Sequence, residues 1–225
     1  PTVVDIGRIS ELRGISIDAG TIHIGSLTTH AELAASAELQ QHAAALAEAA
    51  SQIGDPAVRN RGTIGGNIAH ADPASDLPTV LSALGGRFNL TGPQGDRTVD
   101  AAAFFHGIMT TALGEHELLT TIDIPVSPTG QGTAYAKFPH PASRYAVIGV
   151  GAAVTAVDGI CSAASVVLGG LVPTPVIASS VTKNLVGQAL SAETIATAAQ
   201  SVGTDVGDDC LGDIFASAEY RKAVA

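Results

Sequence analysis

The chain has 225 residues, a formal net charge of −10 at pH 7 and a pI near 4.9. This length suffices for one large domain or two modest domains with a buried core, and we expect two. Because the balance is acidic and no basic cluster exceeds the pair Arg221 and Lys222, neither a nucleic acid nor an anionic membrane surface is expected as a partner. The uncharged apolar run 146–157 is shorter than the ~20 residues of a membrane-spanning helix.

Two cysteines, Cys161 and Cys210, lie far apart in the sequence. The chain does not open with a basic segment followed by an apolar core, so we expect no secretory signal. These features favour a cytoplasmic protein with two unpaired thiols over a disulfide or a metal site. An iron–sulfur cluster usually takes four cysteine ligands, so we expect none here.

The N-terminal segment predicts the edge of a sheet. Residues 3–6 have the composition of a strand, and residues 15–24 alternate apolar and polar positions around Asp18-Ala19-Gly20, which is typical of a hairpin. His23, His30 and His42, on these elements and the next ones, have no acidic or cysteine neighbours at ligand spacing. We therefore expect them to be structural or solvated.

Helices are predicted next. Thr29 and Glu32 have the spacing of a capping box, so a short helix should begin at Thr29. A longer helix should follow and end before Gly54-Asp55-Pro56. Its predicted buried face has apolar residues at spacings of four and three, namely Leu39, Ala43, Leu46, Ala50 and Ile53.

The stretch 52–78 then predicts a binding loop. Thr63 to Asn67 contains two adjacent glycines, which allow positive φ and let backbone N–H groups approach a ligand such as phosphate. Such a pair alone would more often mark a simple turn, but this one lies between two helices. Asp76 can cap the second helix, with Pro78 in its first turn and Gly85-Gly86 beyond its end.

The next segment predicts more strands. Residues 87–90 and 97–99 flank a turn-rich hexapeptide, and Phe104 and Phe105 should fill the core beneath them. Residues 117–125 alternate, with Leu118, Ile122 and Ile124 on one face.

Residues 126–132 form a linker rich in Pro, Gly and Ser, so we place a domain boundary there, with domains at 1–128 and 129–225. The second domain should contain three antiparallel strands, and Asp158-Gly159 is a hairpin signal between the last two. Predicted strands cover 133–138, 145–157 and 160–172, and predicted helices cover 175–186 with Thr174 as cap, 191–202 and 217–224.

The stretch 52–78 closely resembles the FAD signature of the flavoprotein (medium) subunits of molybdenum hydroxylases, the carbon monoxide dehydrogenase and xanthine dehydrogenase family. Further family patterns occur at 117–125, at Lys137-Phe138, at 142–146 and at 213–221, so the resemblance spans the chain. The signature is met by Gln52, Ile53, Arg59, Asn60, Gly62 to Asn67, Pro73 and Asp76.

The resemblance implies an α+β fold. The second subdomain of a PCMH-type FAD-binding domain would be followed by a C-terminal domain with a three-stranded antiparallel sheet and a helical layer. In the family, a first subdomain carries a loop Gly-Gly-x-Ser/Thr-x-Leu that holds the other side of the FAD pyrophosphate. No such loop occurs here and Met109 is the single methionine, so we expect the FAD-binding domain to be truncated at its N-terminus.

The resemblance also implies site residues. The backbone N–H groups of Ile64, Gly65, Gly66 and Asn67 would bind pyrophosphate, with the Thr63 hydroxyl and the Asn67 amide adding hydrogen bonds. Leu118 lies on a strand that passes the flavin ring in the family.

Three further positions keep alternatives open. Asp76 would contact the flavin side of FAD, or would only cap a helix. Lys137 would lie near the isoalloxazine, or at a strand end on the surface. Tyr145 would shield the ring, or would belong to the strand core. Arg59 and Asn60 can order the loop without touching cofactor, and His70 and Asp72 show no acid–base partner.

No catalytic triad or metal cluster is recognisable, so redox chemistry would come from FAD. The resemblance implies an electron-transfer subunit that works with a molybdopterin-binding large subunit and a [2Fe-2S] small subunit. It would pass electrons to a quinone, NAD or oxygen. The alternative is a scaffold or assembly subunit that keeps the fold but binds no FAD, because the first glycine loop is missing.

Overall fold

The computed structural model describes residues 2–225. Its strands are β1 (Ile15–Asp18), β2 (Thr21–Gly25), β3 (Arg87–Gly92), β4 (Gly95–Asp100), β5 (Phe105–Gly107), β6 (Thr110–Thr111), β7 (Leu118–Pro125), β8 (Gln131–Pro139), β9 (Ala146–Val157), β10 (Ile160–Gly169) and β11 (Val176–Ile177). Its α-helices are α1 (His30–Ala35), α2 (Ala37–His42), α3 (Ala44–Ser51), α4 (Pro56–Arg59), α5 (Ile64–His70), α6 (Asp76–Ala83), α7 (Ala101–Phe104), α8 (Ser179–Leu185), α9 (Ala192–Ala199) and α10 (Ala218–Val224).

Five strands form an antiparallel sheet in the order β1-β2-β7-β3-β4. The predicted hairpin is confirmed, since Ala19 and Gly20 take φ values of 45° and 78° between β1 and β2. One face of this sheet is buried against α1, α3, α5 and α6, and Phe88 and Phe104 are fully buried in that core. The capping box at the start of α1 is also confirmed, because Thr29 and Glu32 exchange both hydrogen bonds.

The second sheet is antiparallel in the order β11-β10-β9-β8. Asp158 and Gly159, with φ values of 52° and 77°, form the predicted hairpin turn. The sheet has a fourth strand where a helix was predicted from residue 175. Val176 and Ile177 pair with β10, so α8 begins only at Ser179 and Thr174 does not cap it.

Helix α6 joins the two sheets, because it packs on β9 and β10 as well as on α3. Glycines make this close approach possible: a Cβ atom at Gly169 would overlap the Thr79 hydroxyl, and one at Gly151 would lie 3.2 Å from the Ala83 Cβ. Helix α6 is thereby fixed against both halves of the chain.

Two predicted elements differ at the N-terminal end. Residues 3–6 are not a strand: no neighbouring strand pairs with them, and Val3 and Val4 are 91% and 76% exposed. The long predicted helix is divided into α2 and α3, because Ala43 leaves the helical region at φ −154° and ψ 52°. The helical spacing of the apolar residues nevertheless places Leu39, Leu46 and Ala50 in the core.

The buried face of β7 also differs from the prediction. The pairing of β7 with β3 shifts between Asn89 and Leu90. Asn89 pairs with Thr121, whereas Leu90 pairs with Leu119. This irregularity changes the alternation, so Leu119 is buried with Ile122 and Ile124 while Leu118 is half-buried.

No helix within residues 2–225 has the length and apolar character needed to cross a membrane. Cys161 and Cys210 are free thiols. Across the same range, histidine, cysteine and acidic side chains form no group that could hold a metal ion.

Candidate flavin site

A cavity of about 480 Å³ opens where α5, the turn before α6 and the segment before β9 meet. Five of the nine residues predicted to bind FAD line it, namely Thr63, Gly66, Asn67, Asp76 and Tyr145. The other four do not: Ile64 and Gly65 are buried in the first turn of α5, Lys137 lies on β8 next to Asp76, and Leu118 lies on β7. The cavity is thus built from both halves of the chain.

Thr63 to Asn67 is not a loop but the start of α5. Thr63 is the N-cap, and neither Gly65 nor Gly66 has positive φ. The prediction of a loop that uses positive φ at these glycines is therefore wrong. At Gly65, glycine is required for space instead. A Cβ atom at Gly65 would overlap Ser26, and one at Gly66 would lie 3.0 Å from Thr63 Oγ1 at the cavity wall.

The four backbone N–H groups expected to bind pyrophosphate all have acceptors within the protein. Ile64 donates to the Thr28 carbonyl at 3.0 Å and Gly65 to the Ser26 carbonyl at 2.8 Å. Gly66 donates to Thr63 Oγ1 at 3.2 Å, and Asn67 donates to the Thr63 carbonyl at 3.0 Å. The Thr28 and Ser26 carbonyls, the helix cap and the helix itself thus use these four donors, and their binding to pyrophosphate stays a prediction.

Side chains give this segment its remaining hydrogen-bonding capacity. The Thr63 hydroxyl accepts from Gly66, so its own proton is available for a ligand. The Asn67 amide donates to Ser75 Oγ at 3.1 Å, while Asn67 Oδ1 is buried without a partner in residues 2–225. An unpartnered buried acceptor is costly, which indicates that a bound group supplies its donor.

Asp76 is not the cap of α6, since Ser75 occupies the N-cap position. Its carboxylate accepts from Lys137 Nζ at 2.7 Å and from the Tyr135 hydroxyl at 2.5 Å. The Lys137 side chain is only 1% exposed, and Nζ also lies 3.4 Å from the Gln52 carbonyl. Both the cap alternative for Asp76 and the surface alternative for Lys137 are therefore wrong.

Burial controls the protonation of this group. It raises the pKa of Asp76, and the Lys137 charge and the hydrogen bonds from Lys137 and Tyr135 oppose that shift. Burial and the nearby Asp76 carboxylate also raise the pKa of Tyr135 above its usual range, so the phenol keeps its proton and donates. The pKa of Tyr145 is raised by partial burial and by Asp72 and Asp76.

Sequence reasoning missed His30 as a residue of the cavity. It is 3% exposed, and its Nδ1 has no hydrogen-bond partner within residues 2–225. Burial lowers the pKa of His30 to about 4, so the ring is neutral at pH 7. An isolated bridge between Thr29 and Thr63 brings it to the cavity, and Gly62 leaves room for the ring. No local pattern could have indicated that long-range pairing.

Arg59 and Asn60 both donate hydrogen bonds to backbone carbonyl groups in or near α4. Arg59 donates to the carbonyls of Ile53 and Gly54, and Asn60 donates to the Pro56 carbonyl. Arg144, with φ 60°, also donates to the Gly54 carbonyl at 3.1 Å and completes the wall.

The remaining predicted residues lie at the rim or in a turn. Tyr145 is 46% exposed and precedes β9, so the strand-core alternative for it is wrong. Asp72 Oδ1 accepts from the Ala74 N–H, and no contact joins it to His70 as an acid–base pair within the described residues.

Comparison with known proteins agrees with this architecture. Residues 1–127 match the family described as the FAD binding domain in molybdopterin dehydrogenase, and residues 133–225 match the CO dehydrogenase flavoprotein C-terminal domain. The carbon monoxide dehydrogenase medium chain of Hydrogenophaga pseudoflava is 36% identical over 225 residues, which cover 99% of this chain and 77% of that protein. The corresponding chain of Afipia carboxidovorans is 37% identical with the same coverage.

Solved structures agree as well. Carbon monoxide dehydrogenase from H. pseudoflava, in a form without the Mo-pyranopterin moiety, superposes with a TM-score of 0.92 at 38% identity, covering 98% of this chain and 76% of that chain. Quinoline 2-oxidoreductase from Pseudomonas putida 86 superposes with a TM-score of 0.90 at 29% identity. The match covers 97% of this chain and 75% of that chain.

Fold and cavity together define a cofactor-binding subunit of an oxidoreductase. The chain belongs to the family of FAD-binding medium subunits of molybdenum hydroxylases, which includes the carbon monoxide dehydrogenase medium chains.

Proposed function

We propose that this chain holds FAD in the cavity between α5 and Tyr145 and passes electrons from an iron–sulfur partner subunit to an external acceptor. The observation that carries the proposal is the convergence of Thr63, Gly66, Asn67 and Asp76 on one cavity, which the segment before β9 closes on its other side. A quinone, NAD or oxygen could each serve as the acceptor.

The residues of the cavity fit a flavin dinucleotide. Its volume of about 480 Å³ is within the range of roughly 300–1,000 Å³ that is common for ligand sites. Asn67 Oδ1 is a buried acceptor without a protein donor, which a hydroxyl or N–H group of the cofactor can satisfy. Gly66 keeps the wall beside Thr63 Oγ1 free of a side chain.

When bound, FAD supplies the redox chemistry that the side chains lack. The Thr63 hydroxyl would donate a hydrogen bond to a phosphate oxygen. Asn67 Oδ1 would accept a hydrogen bond from the ribityl chain or the flavin ring. The half-exposed Tyr145 would cover an aromatic face and limit its contact with water. Asp76 would accept a hydrogen bond while Lys137 balances its charge.

The names of related chains and the two cysteines support a role for partner subunits. Related chains are named medium chains, which supports a complex with a molybdopterin-binding large subunit and a small subunit. A [2Fe-2S] cluster needs more ligands than Cys161 and Cys210 provide, so we place the clusters on the small subunit.

FAD titration of the purified protein, followed by flavin absorbance, tests the cofactor assignment. We expect one FAD per chain, and about tenfold weaker binding by Asn67→Ala, because a hydrogen bond worth about 1.4 kcal/mol is lost. Asn184→Ala, on the exposed face of α8, is the matched control. A folded protein that takes up no FAD would support the scaffold alternative.

A further inference from the structure

Strand β8 presents two side chains to one carboxylate. Tyr135 and Lys137 are two residues apart, so they lie on the same face of the strand. The Tyr135 hydroxyl donates to Asp76 Oδ1 at 2.5 Å, and Lys137 Nζ donates to Asp76 Oδ2 at 2.7 Å. Each carboxylate oxygen thus has its own donor from the second sheet.

The Tyr135 side chain is held in place from several directions. It is 3% exposed, and its backbone N–H donates to Glu48 Oε2 on α3 at 3.0 Å. A Cβ atom at Gly149 on β9 would overlap the Tyr135 hydroxyl, so a glycine there leaves the space that the hydroxyl occupies. The packing therefore gives this phenol one position, and that position points at Asp76.

This arrangement exceeds what a stable core requires. Phenylalanine would fill the same volume, whereas a tyrosine hydroxyl in the core needs a hydrogen-bond partner. Asp76 lines the cavity, while Tyr135 and Lys137 are not part of its lining. The hydroxyl and the ammonium group therefore fix the carboxylate from behind and leave its other lone pairs available towards the cavity.

We propose that Tyr135 is a positioning residue of the flavin site, whose hydroxyl holds Asp76 ionised and oriented to accept a hydrogen bond from the cofactor. This inference rests on the proposed function, because it assigns the task of Asp76 to FAD. Without the hydroxyl, Asp76 Oδ1 loses its donor and the carboxylate is free to rotate or to take up a proton.

Other charged and titratable groups surround Asp76. Lys137 is paired with it, and Glu48 approaches from α3 through the Tyr135 N–H. The negative charges of Asp72 and Asp76 both raise the pKa of Tyr145. The same cavity is lined by His30, Arg61, His70 and Arg144.

Tyr135→Phe removes one oxygen atom, and Tyr220→Phe is its matched control because Tyr220 lies at the surface on α10. FAD affinity is measured from pH 5 to pH 8, with circular dichroism as the check of folding. We expect Tyr135→Phe to bind FAD about tenfold more weakly at pH 7. We also expect its loss of affinity on acidification to begin at higher pH than in the wild type. Tyr220→Phe should match the wild type at every pH.

A second variant, Gly149→Ala, displaces the hydroxyl without removing it and should weaken binding in the same pH-dependent way. Two results would overturn the inference: a Tyr135→Phe protein with wild-type affinity and pH profile, or one whose affinity falls equally at all pH values, which would mean a packing role alone. Failure of the wild type to bind FAD is a different result and would contradict the proposed function itself.

Discussion

At the scale of single residues, the buried pair of Asp76 and Lys137 has a large energetic consequence when one partner is removed. Both side chains are almost fully buried, at 5% and 1% exposure. Such a pair adds little net stability, but removal of one partner leaves an uncompensated buried charge. The pair therefore makes the stability of the protein depend on pH through one carboxyl group.

Lys137→Met should lower the free energy of unfolding by about 3–5 kcal/mol at pH 7. Lys137 opposes the rise in the pKa of Asp76, so without it the folded-state pKa rises further. A raised folded-state pKa stabilises the protein below the unfolded-state value and loses that contribution as the pH rises through the folded-state value. The deficit of the variant should therefore shrink as the pH falls towards 4.

Urea unfolding of both proteins at several pH values measures this difference. Burial lowers the pKa of His30 to about 4, so both proteins lose stability between pH 6.5 and pH 4, and the comparison must use the difference between them. Lys183→Met, at an exposed position of α8, is the control. A deficit that stays constant with pH would contradict the assignment of the effect to Asp76.

At the scale of elements, α5 combines a cap, a close contact and a cavity wall in its first turn. Gly66 has helical backbone geometry, so alanine there should raise helix propensity by up to about 1 kcal/mol. Its Cβ atom would, however, lie 3.0 Å from Thr63 Oγ1 and extend into the cavity. Stability and cofactor binding should therefore respond in opposite directions.

Gly66→Ala should keep or raise the melting temperature and weaken FAD binding by about tenfold, which corresponds to 1.4 kcal/mol. Thermal unfolding without FAD and a flavin titration measure the two effects. Gly203→Ala is a suitable control, since a Cβ atom there meets open space. Undiminished FAD affinity in Gly66→Ala would remove this turn from the binding site.

The sequence predicts best those elements whose chemistry is local. The turns at Ala19-Gly20 and Asp158-Gly159 and the capping box at Thr29 need only their own neighbours, and all three form. The break at Ala43 has no glycine or proline to mark it. The shifted pairing of β7 with β3 likewise depends on the partner strand.

The candidate site shows the same division. The signature residues were recognisable from their types and spacing, but the use of the Ile64 and Gly65 N–H groups was not, because their acceptors lie on Thr28 and Ser26. His30 and Tyr135 reach the site region through contacts distant in sequence, so no local pattern identifies them.

At the scale of the whole molecule, the packing of α6 on the second sheet determines whether Asp76 can contact Tyr135 and Lys137 on β8. Gly169→Ala should destabilise the protein by about 1–3 kcal/mol, because the new Cβ atom would overlap the Thr79 hydroxyl on α6. FAD affinity should fall with it, since α6 carries Asp76.

A double-mutant cycle with Thr79→Ala tests the cause. Thr79→Ala removes the overlapping hydroxyl, so the double variant should recover part of the stability and of the FAD affinity that Gly169→Ala loses. If the two effects simply add, contact between Gly169 and Thr79 does not set the position of α6.

The contacts of Asp76 also bear on when the protein becomes able to hold its cofactor. Tyr135 and Lys137 lie 59 and 61 residues beyond Asp76 in the chain, and they reach it only after a long loop has closed. Closing such a loop costs chain entropy, and the contacts that offset this cost form only once the loop is closed. We therefore expect these pairings to form late in folding. Flavin uptake would then mark the completion of folding, and a bound yellow cofactor would report that the two sheets have docked.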